Sequence, residues 1–276
     1  MQLITLTTDF GYQDWFVGVM KGVILSRAPG TQVVDITHGL TAGNVPSAAL
    51  TLKSIWPHFP PDTVHMVVVD PGVGSSRAPL AIRCERRYLV GPDNGVFELV
   101  LQEAKRWIAR QIELAAARLP ETSATFHGRD IFAPAAAWLA RGGAFHRIGP
   151  KVAELTHLSW PVARQDGSSW VGEVIHLDTF GNALTNLPNA CVGDDAPGSW
   201  EISLPRRKRG LLHDCYAAVP PGKPVVVRGS TGWLEIAINQ GSAAERLGLI
   251  VGSPVRLQRV PPRDPPPRLR RPQRGQ

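Results

Sequence analysis

The sequence predicts an α/β domain with a mainly parallel sheet, followed by a smaller antiparallel β-barrel domain. From Met1 to about Pro161, short runs rich in Val and Ile alternate with longer helical stretches, the rhythm of sheet and helix in layers. One run, 64–69, is nearly continuous apolar sequence, which suits a strand covered on both faces by helices. After Pro161 the chain changes to short strand candidates separated by Gly, Pro, Asp and Asn, the pattern of a small barrel.

In the first domain, strands are expected at 3–7, 32–36, 64–70, 80–83 and 88–90, each bounded by Gly, Pro or Asp. Helices are expected between them at 15–26, 44–56, 96–103 and 131–141. In the second domain the strand candidates are 169–177, 225–229, 234–239 and 254–260, with only 243–247 helical. Pro161, Asp166 and Gly167 interrupt the pattern, so a boundary is expected within 160–167. The domains are therefore drawn at 1–163 and 168–260, leaving 261–276 as a Pro/Arg-rich disordered tail.

A chain of 276 residues, 43% hydrophobic and 19% charged, can bury a sizeable core, which excludes a disordered or disulfide-stapled protein. Cys84, Cys191 and Cys215 are odd in number, far apart and without a CxxC pair, so neither a disulfide framework nor a cysteine zinc site is expected. No membrane-length apolar stretch is present and the N-terminus lacks a signal-peptide pattern, so a soluble cytoplasmic protein is expected. The net charge of +7 hints at a polyanion partner, but the tail carries five arginines against one aspartate, leaving only three net charges elsewhere. That tail reads as a solvated extension, with contact to nucleic acid or an acidic surface as the other reading.

Five segments could carry chemistry. Thr7-Thr8-Asp9-Phe10-Gly11 follows the first strand, where a carboxylate is poised to accept hydrogen bonds from a ribose diol. Alternatively Asp9 stabilises its own loop and Asp14 caps the helix at Trp15. Asp70 and Arg77 stand at opposite ends of a Gly-containing turn that lacks the ending of a P-loop, and could pair so that the guanidinium faces a cleft, or pair for structure alone. In Thr125–Pro134, Asp130 reads as an N-cap, which leaves His127 and Arg129 unexplained; with neither HExxH nor an HxH pair, no metal site is expected. Asp178–Asn186 offers an aromatic, Phe180, to stack on a flat ring and Asn182 to read its edge, or is an ordinary hairpin turn. In Gly229–Ala237, Glu235 interrupts an apolar strand and needs a partner, which a ligand ammonium would supply.

Taken together these stretches resemble the S-adenosylmethionine hydroxide adenosyltransferase family, relatives of the bacterial fluorinase and chlorinase. The resemblance is carried by TLTTDFGYQDWFVGVMKG, VDITHGL, VHMVVVDPGVGSSR, GPDNGVFE, TFHGRDIFAPAAA, LDTFGNALTN and GSTGWLEIAINQGSAAERLG, which run in family order from Met1 to about Val260. It implies hydrolysis of S-adenosyl-L-methionine to adenosine and L-methionine without a cofactor, by a homotrimer with active sites between subunits. It places the family's catalytic set on Asp70, Arg77 and His127, and the ribose contact on Asp9, with Phe10 beside it in the substrate-binding set. Asp14, Ser230 and Glu235 would lie near the methionine end, and Phe180, Asn182 and the backbone around Ile238 near adenine.

A halogenase is the nearest rival. The fluorinase has tyrosine at the position matching Asp70 and an inserted loop before the segment matching Gly91; the carboxylate here would repel a halide, so water is the expected nucleophile. A binding protein for adenosine or S-adenosylmethionine that does not cleave it would use the same pocket. The chain departs from the family at Gly229, where asparagine is usual, and at Leu184, where the fluorinase has tryptophan.

Overall fold

A computed structural model describes residues 2–113, 123–204 and 208–261. The chain folds as two compact units, Met1–Trp160 and Pro161–Gln276. Apart from Pro261, the tail expected at 261–276 lies outside the described residues.

The first unit contains, in chain order, β1 (Leu3–Thr8), α1 (Phe16–Arg27), β2 (Gln32–Thr37), α2 (Val45–Ile55), β3 (Val64–Val68), β4 (Pro79–Cys84), β5 (Arg87–Pro92), α3 (Glu98–Leu101), β6 (Trp107–Gln111), α4 (Ala133–Ala140) and β7 (Lys151–Val152). Its sheet has the order β2-β1-β3-β5-β4-β6-β7. The first four of these are mutually parallel, and the rest are joined antiparallel. β3 alternates its side chains between two cores: Val64, Met66 and Val68 face one, and Val67 and Val69 the other. Its apolar continuity therefore reflects two buried faces.

On one face α1 contributes Met20 and Ile24, while α4 contributes Ala133, Ala135, Ala136 and Ala137, all completely buried. Methyl side chains let α4 lie close to its neighbours. On the other face α2 packs Val45, Ala48 and Leu52 onto Leu80, Ile82 and Leu89. α2 begins as its sequence suggests, with Asn44 accepting the Ser47 N–H at 3.0 Å and a proline in the first turn.

Two capping expectations fail. The N-cap of α1 is Trp15, without a side-chain cap, so Asp14 sits one residue too early and is exposed. Asp130 lies inside a π-helical turn, Gly128–Phe132, that runs directly into α4. β3 also ends before the expected Asp70, because the Asn94 amide takes the Val69 carbonyl at 2.9 Å where a strand partner would. α3 is shorter than the expected helix over 96–103.

The second unit contains β8 (Arg164–Asp166), β9 (Ser169–Leu177), β10 (Ala183–Pro188), β11 (Trp200–Ser203), β12 (Arg209–His213), β13 (Pro224–Arg228), β14 (Trp233–Ile238), α5 (Ala243–Leu247) and β15 (Pro254–Arg259). The order β9-β10-β14-β13-β12-β11-β15 returns to β9 and closes a seven-stranded barrel, with β8 added beside β9. All barrel pairings are antiparallel except β12 with β13. Val174, Leu187, Ile202, Leu212, Leu234, Ile236 and Leu257 fill its interior. Asp166, expected as part of the boundary with Gly167, ends β8, and Gly167 and Ser168 turn the chain into β9. The helix at 243–247 is confirmed, with Ser242 as N-cap and Gly248 left-handed at its C-terminus.

Candidate active site

In the first unit, Asp70 follows β3 and Arg77 precedes β4. Arg77 Nε donates to Asp70 Oδ1 at 2.9 Å, and Nη2 donates to Asp70 Oδ2. Both side chains are over nine-tenths buried, so this forked pair is held rigidly in a poorly screened setting. Gly74, at φ +77, lets the turn press against the chain near His127: a Cβ there would stand 2.6 Å from the Ala124 carbonyl oxygen. Arg77 Nη2 also donates to His127 Nδ1 at 2.5 Å, and the guanidinium lies 5.4 Å from the centre of the Phe132 ring. Asp70, Arg77 and His127 thus form one connected group, while Arg77 Nη1 is buried without a hydrogen-bond partner.

Arginine has no acceptor, so His127 Nδ1 must be the acceptor and the proton of the neutral ring resides on Nε2. Burial, and then the charge of Arg77, hold the His127 pKa below the ordinary histidine value, against the opposing pull of Asp70 and Asp130. At neutral pH the ring is therefore uncharged and presents an N–H from its far side. Arg129 and Asp130 are occupied structurally: Arg129 Nε donates to Asp130 Oδ1 at 2.5 Å, and Asp130 Oδ2 accepts the Ser123 N–H at 2.8 Å. Burial works to raise the Asp130 pKa, but those hydrogen bonds outweigh it and hold the group below the usual carboxylate range.

Asp9 follows β1, next to β3 in the sheet, and one of its oxygens accepts the Gly43 N–H at 2.7 Å. Phe10 packs edge-on against Phe16 and Phe126, with ring centres 5.8 and 6.2 Å away. The exposed Asp14 forms no part of either cluster.

In the second unit, Phe180, Asn182, Ser230, Glu235 and Ile238 line a single cavity of about 700 Å³. The Asp178 carboxylate organises the turn, accepting the N–H groups of Phe180 and Asn182 at 2.9 and 2.8 Å and the Asn182 side-chain amide at 3.0 Å. The Asn182 backbone carbonyl accepts the Asp178 N–H at 3.0 Å, which leaves its side-chain Oδ1 to face a ligand, while Phe180 is 77% exposed. Ile238 has its carbonyl occupied by the Gly241 N–H.

Glu235 already has a partner within the chain. Tyr216, in a short 3-10 turn, donates its hydroxyl to Glu235 Oε1 at 2.6 Å. Burial raises the Glu235 pKa, the Tyr216 hydrogen bond lowers it, and the Asp178 charge raises it again, for a net rise. Burial and the same contact push the phenol up to about 12. Tyr216 and Asp178 are among the lining residues that sequence reasoning left without a role, as are Asn239 to Ser242; Asp178 stood inside a singled-out segment, whereas nothing local marks Tyr216. Among the described residues no group of three or more His, Cys, Asp or Glu side chains could hold a metal ion. Nor, among them, is any helix long and apolar enough to cross a membrane.

Two family models match the chain: the SAM hydroxide adenosyltransferase N-terminal domain over residues 4–149, and the C-terminal domain over residues 172–256. A protein from Thermus thermophilus named (R)-S-adenosyl-L-methionine hydrolase is 42% identical, over 93% of this chain and all of its own length. A protein of the same name from Salinispora tropica is 37% identical, over 92% of this chain and 97% of its own. Fluorinases match at 24–27% identity. The crystal structure of a conserved protein from Thermotoga maritima superposes with a TM-score of 0.87 at 35% identity, covering 93% of this chain and all of that one.

Proposed function

The chain belongs to the SAM hydroxide adenosyltransferase family, and we infer from this that it hydrolyses S-adenosyl-L-methionine to adenosine and L-methionine. The oxygen of a water forms a bond to ribose C5′ as the C5′–S bond breaks. The electron pair of that bond stays on sulfur, which leaves as the neutral thioether of methionine, and the water gives up one proton to solvent. A sulfonium leaves without being protonated, so the protein's task is to aim and polarise the nucleophile.

The observation that carries the residue assignment is the buried, unpartnered Nη1 of Arg77, a guanidinium donor fixed by Asp70 and left without an acceptor. A water accepting that bond would have its hydroxide character stabilised by the guanidinium charge. Asp70 retains lone pairs able to receive a water O–H. His127 supplies the Nε2–H as a second donor; a proton relay through Nδ1 would first have to break the Arg77 bond. Asp9 takes the ribose hydroxyls, Phe180 and Asn182 take adenine, and Ser230 and Glu235 take the methionine end, where two carboxylates favour a cationic ligand. No cofactor enters this scheme. A homotrimer that brings the two kinds of half-site together between subunits, in the cytoplasm, completes the proposal, and mass measurement in solution tests the assembly.

Purified protein incubated with S-adenosylmethionine in ¹⁸O-water should release methionine, and adenosine labelled at the 5′ oxygen. Both sulfur epimers belong in the assay, with the (R) form expected to turn over faster. Absence of adenosine, or unlabelled adenosine, would overturn the reading, as would 5′-halo-adenosine formed with chloride or fluoride present.

A further inference from the structure

The molecule contains a second polar chain that neither the catalytic trio nor the barrel cavity uses. His38 lies just beyond β2 and is completely enclosed, 1% exposed. Its Nδ1 is 2.7 Å from the Thr8 hydroxyl, which also accepts the Phe10 N–H at 3.2 Å. The His38 carbonyl accepts the Gly11 N–H at 2.7 Å. One residue therefore grips the loop at Thr8 and at Gly11, with Asp9 and Phe10 between those two points.

On its far side His38 Nε2 stands 3.2 Å from Asp35 Oδ1, and neither atom has a hydrogen-bond partner. The other Asp35 oxygen receives Lys21 Nζ at 2.6 Å and the Tyr12 hydroxyl at 2.9 Å. The Tyr12 ring meets the His38 ring edge-on, with centres 4.9 Å apart. These neighbours fix the tautomer. A carboxylate facing Nε2 favours the proton there, which leaves Nδ1 to accept the Thr8 O–H, and that orients the Thr8 lone pairs toward the Phe10 N–H.

We propose that His38, held by Asp35 and acting through Thr8, is a positioning residue that sets the Asp9 carboxylate for binding the substrate's ribose diol. The inference rests on the ribose reading of Asp9 given above. Burial supplies the warrant. An enclosed imidazole costs stability unless its nitrogens are engaged: here Nδ1 bonds to the loop that presents Asp9, and Nε2 faces the Asp35 carboxylate of β2. Because Asp9 would hold the ribose in ground state and transition state alike, loosening it should appear in KM before kcat.

The test compares S-adenosylmethionine with its 2′-deoxyribose form in the full-length enzyme. Wild type should prefer the natural substrate by about a hundredfold or more in kcat/KM, since a site built for a hydroxyl rejects an analogue lacking it. Asp9→Asn is the reference and should largely abolish that preference. Thr8→Val, near in shape but without the hydroxyl, should raise KM about tenfold, change kcat less than about twofold, and cut the preference to about tenfold. Thr8→Ser should restore it. If Thr8→Val does not fold, His38→Asn, which keeps an acceptor for Thr8 but loses Asp35, should give a smaller loss in the same direction. If Asp9→Asn keeps the preference, the ribose reading fails and the proposal with it. If Asp9→Asn loses the preference while Thr8→Val or His38→Asn keeps it in full, the proposal fails and the ribose reading stands.

Discussion

The polar groups of the two units are balanced in opposite ways. In the first, Asp70 has its counterion in Arg77, and a neutral His127 completes the set, so the group is assembled without help from a ligand. In the second, Asp178 and Glu235 share a cavity of about 700 Å³ whose described lining includes no lysine or arginine. There the carboxylates are held by a turn and by a phenol, and their charge is left for a guest to neutralise. The contrast separates preorganised chemistry from charge-selective binding. Breaking the first should cost rate, and breaking the second should cost affinity.

The harshest test is Arg77→Lys, which keeps the charge but removes the fork and the donor to His127. We expect kcat to fall by about a thousandfold with substrate affinity within about threefold of wild type, read by turnover and calorimetry. Near-normal turnover would dissolve the distinction between the units.

His127→Asn comes next. The amide can still accept from Arg77 but does not titrate, so we expect kcat to drop by about tenfold to a hundredfold and the acid limb of its pH profile to vanish. In wild type that limb should lie below the ordinary histidine value, because the folded pKa is lowered. Activity is then present above that pKa and lost as pH falls through it, when a protonated ring can no longer accept from Arg77. A limb at or above 6.5 would contradict the assignment.

Tyr216→Phe should be milder. Losing the phenol removes the contact that lowers the Glu235 pKa, so a larger share of Glu235 is protonated near neutrality. We expect KM for S-adenosylmethionine to rise about threefold to tenfold, more at acid than at alkaline pH, with kcat nearly unchanged. A fall confined to kcat would move Tyr216 into the catalytic set.

The smallest effect on rate is expected at His65, whose Nδ1 pairs with Thr5 across β1 and β3 inside the sheet. Burial, and then Arg87, pull its pKa down to about 3. The unfolded chain binds this proton more readily, so the stability is intact above 6.5 and declines as pH falls toward 3. The slope is about 1.4 kcal/mol per pH unit within that window. Denaturant unfolding of His65→Gln should show a flatter acid decline with kcat at pH 8 unchanged, which separates acid unfolding from acid inactivation.

The sequence made the first unit more legible than the barrel for physical reasons. β1 and β3 are buried along their whole length and, like the middle of β5, are rich in Val, Leu and Ile, whereas β11 and β12 read Trp-Glu-Ile-Ser and Arg-Gly-Leu-Leu-His, short and half polar, and are missing from the expected strands. β6, β7, β8 and β10 were likewise absent from the expected strands. Asp70 and Arg77 were readable as a pair because a tight turn joins them. Tyr216 and Glu235 meet only because the barrel closes, which no local pattern records. Asp14 and Asp130 carried a capping signal, but an unfavourable position in one case and a π-turn in the other overrode it.

The alanines of α4 bear on how this enzyme could be tuned. The π-turn after His127 feeds straight into a helix whose completely buried side chains include the methyl groups of Ala133, Ala135, Ala136 and Ala137. Added volume at the fully buried Ala136 must be absorbed by the packing around it, and any shift of the helix would move the imidazole at its threshold relative to the guanidinium paired with it. Rate could therefore drift through substitutions in the dry interior, leaving every polar atom of the reaction centre untouched in identity and altered only in aim.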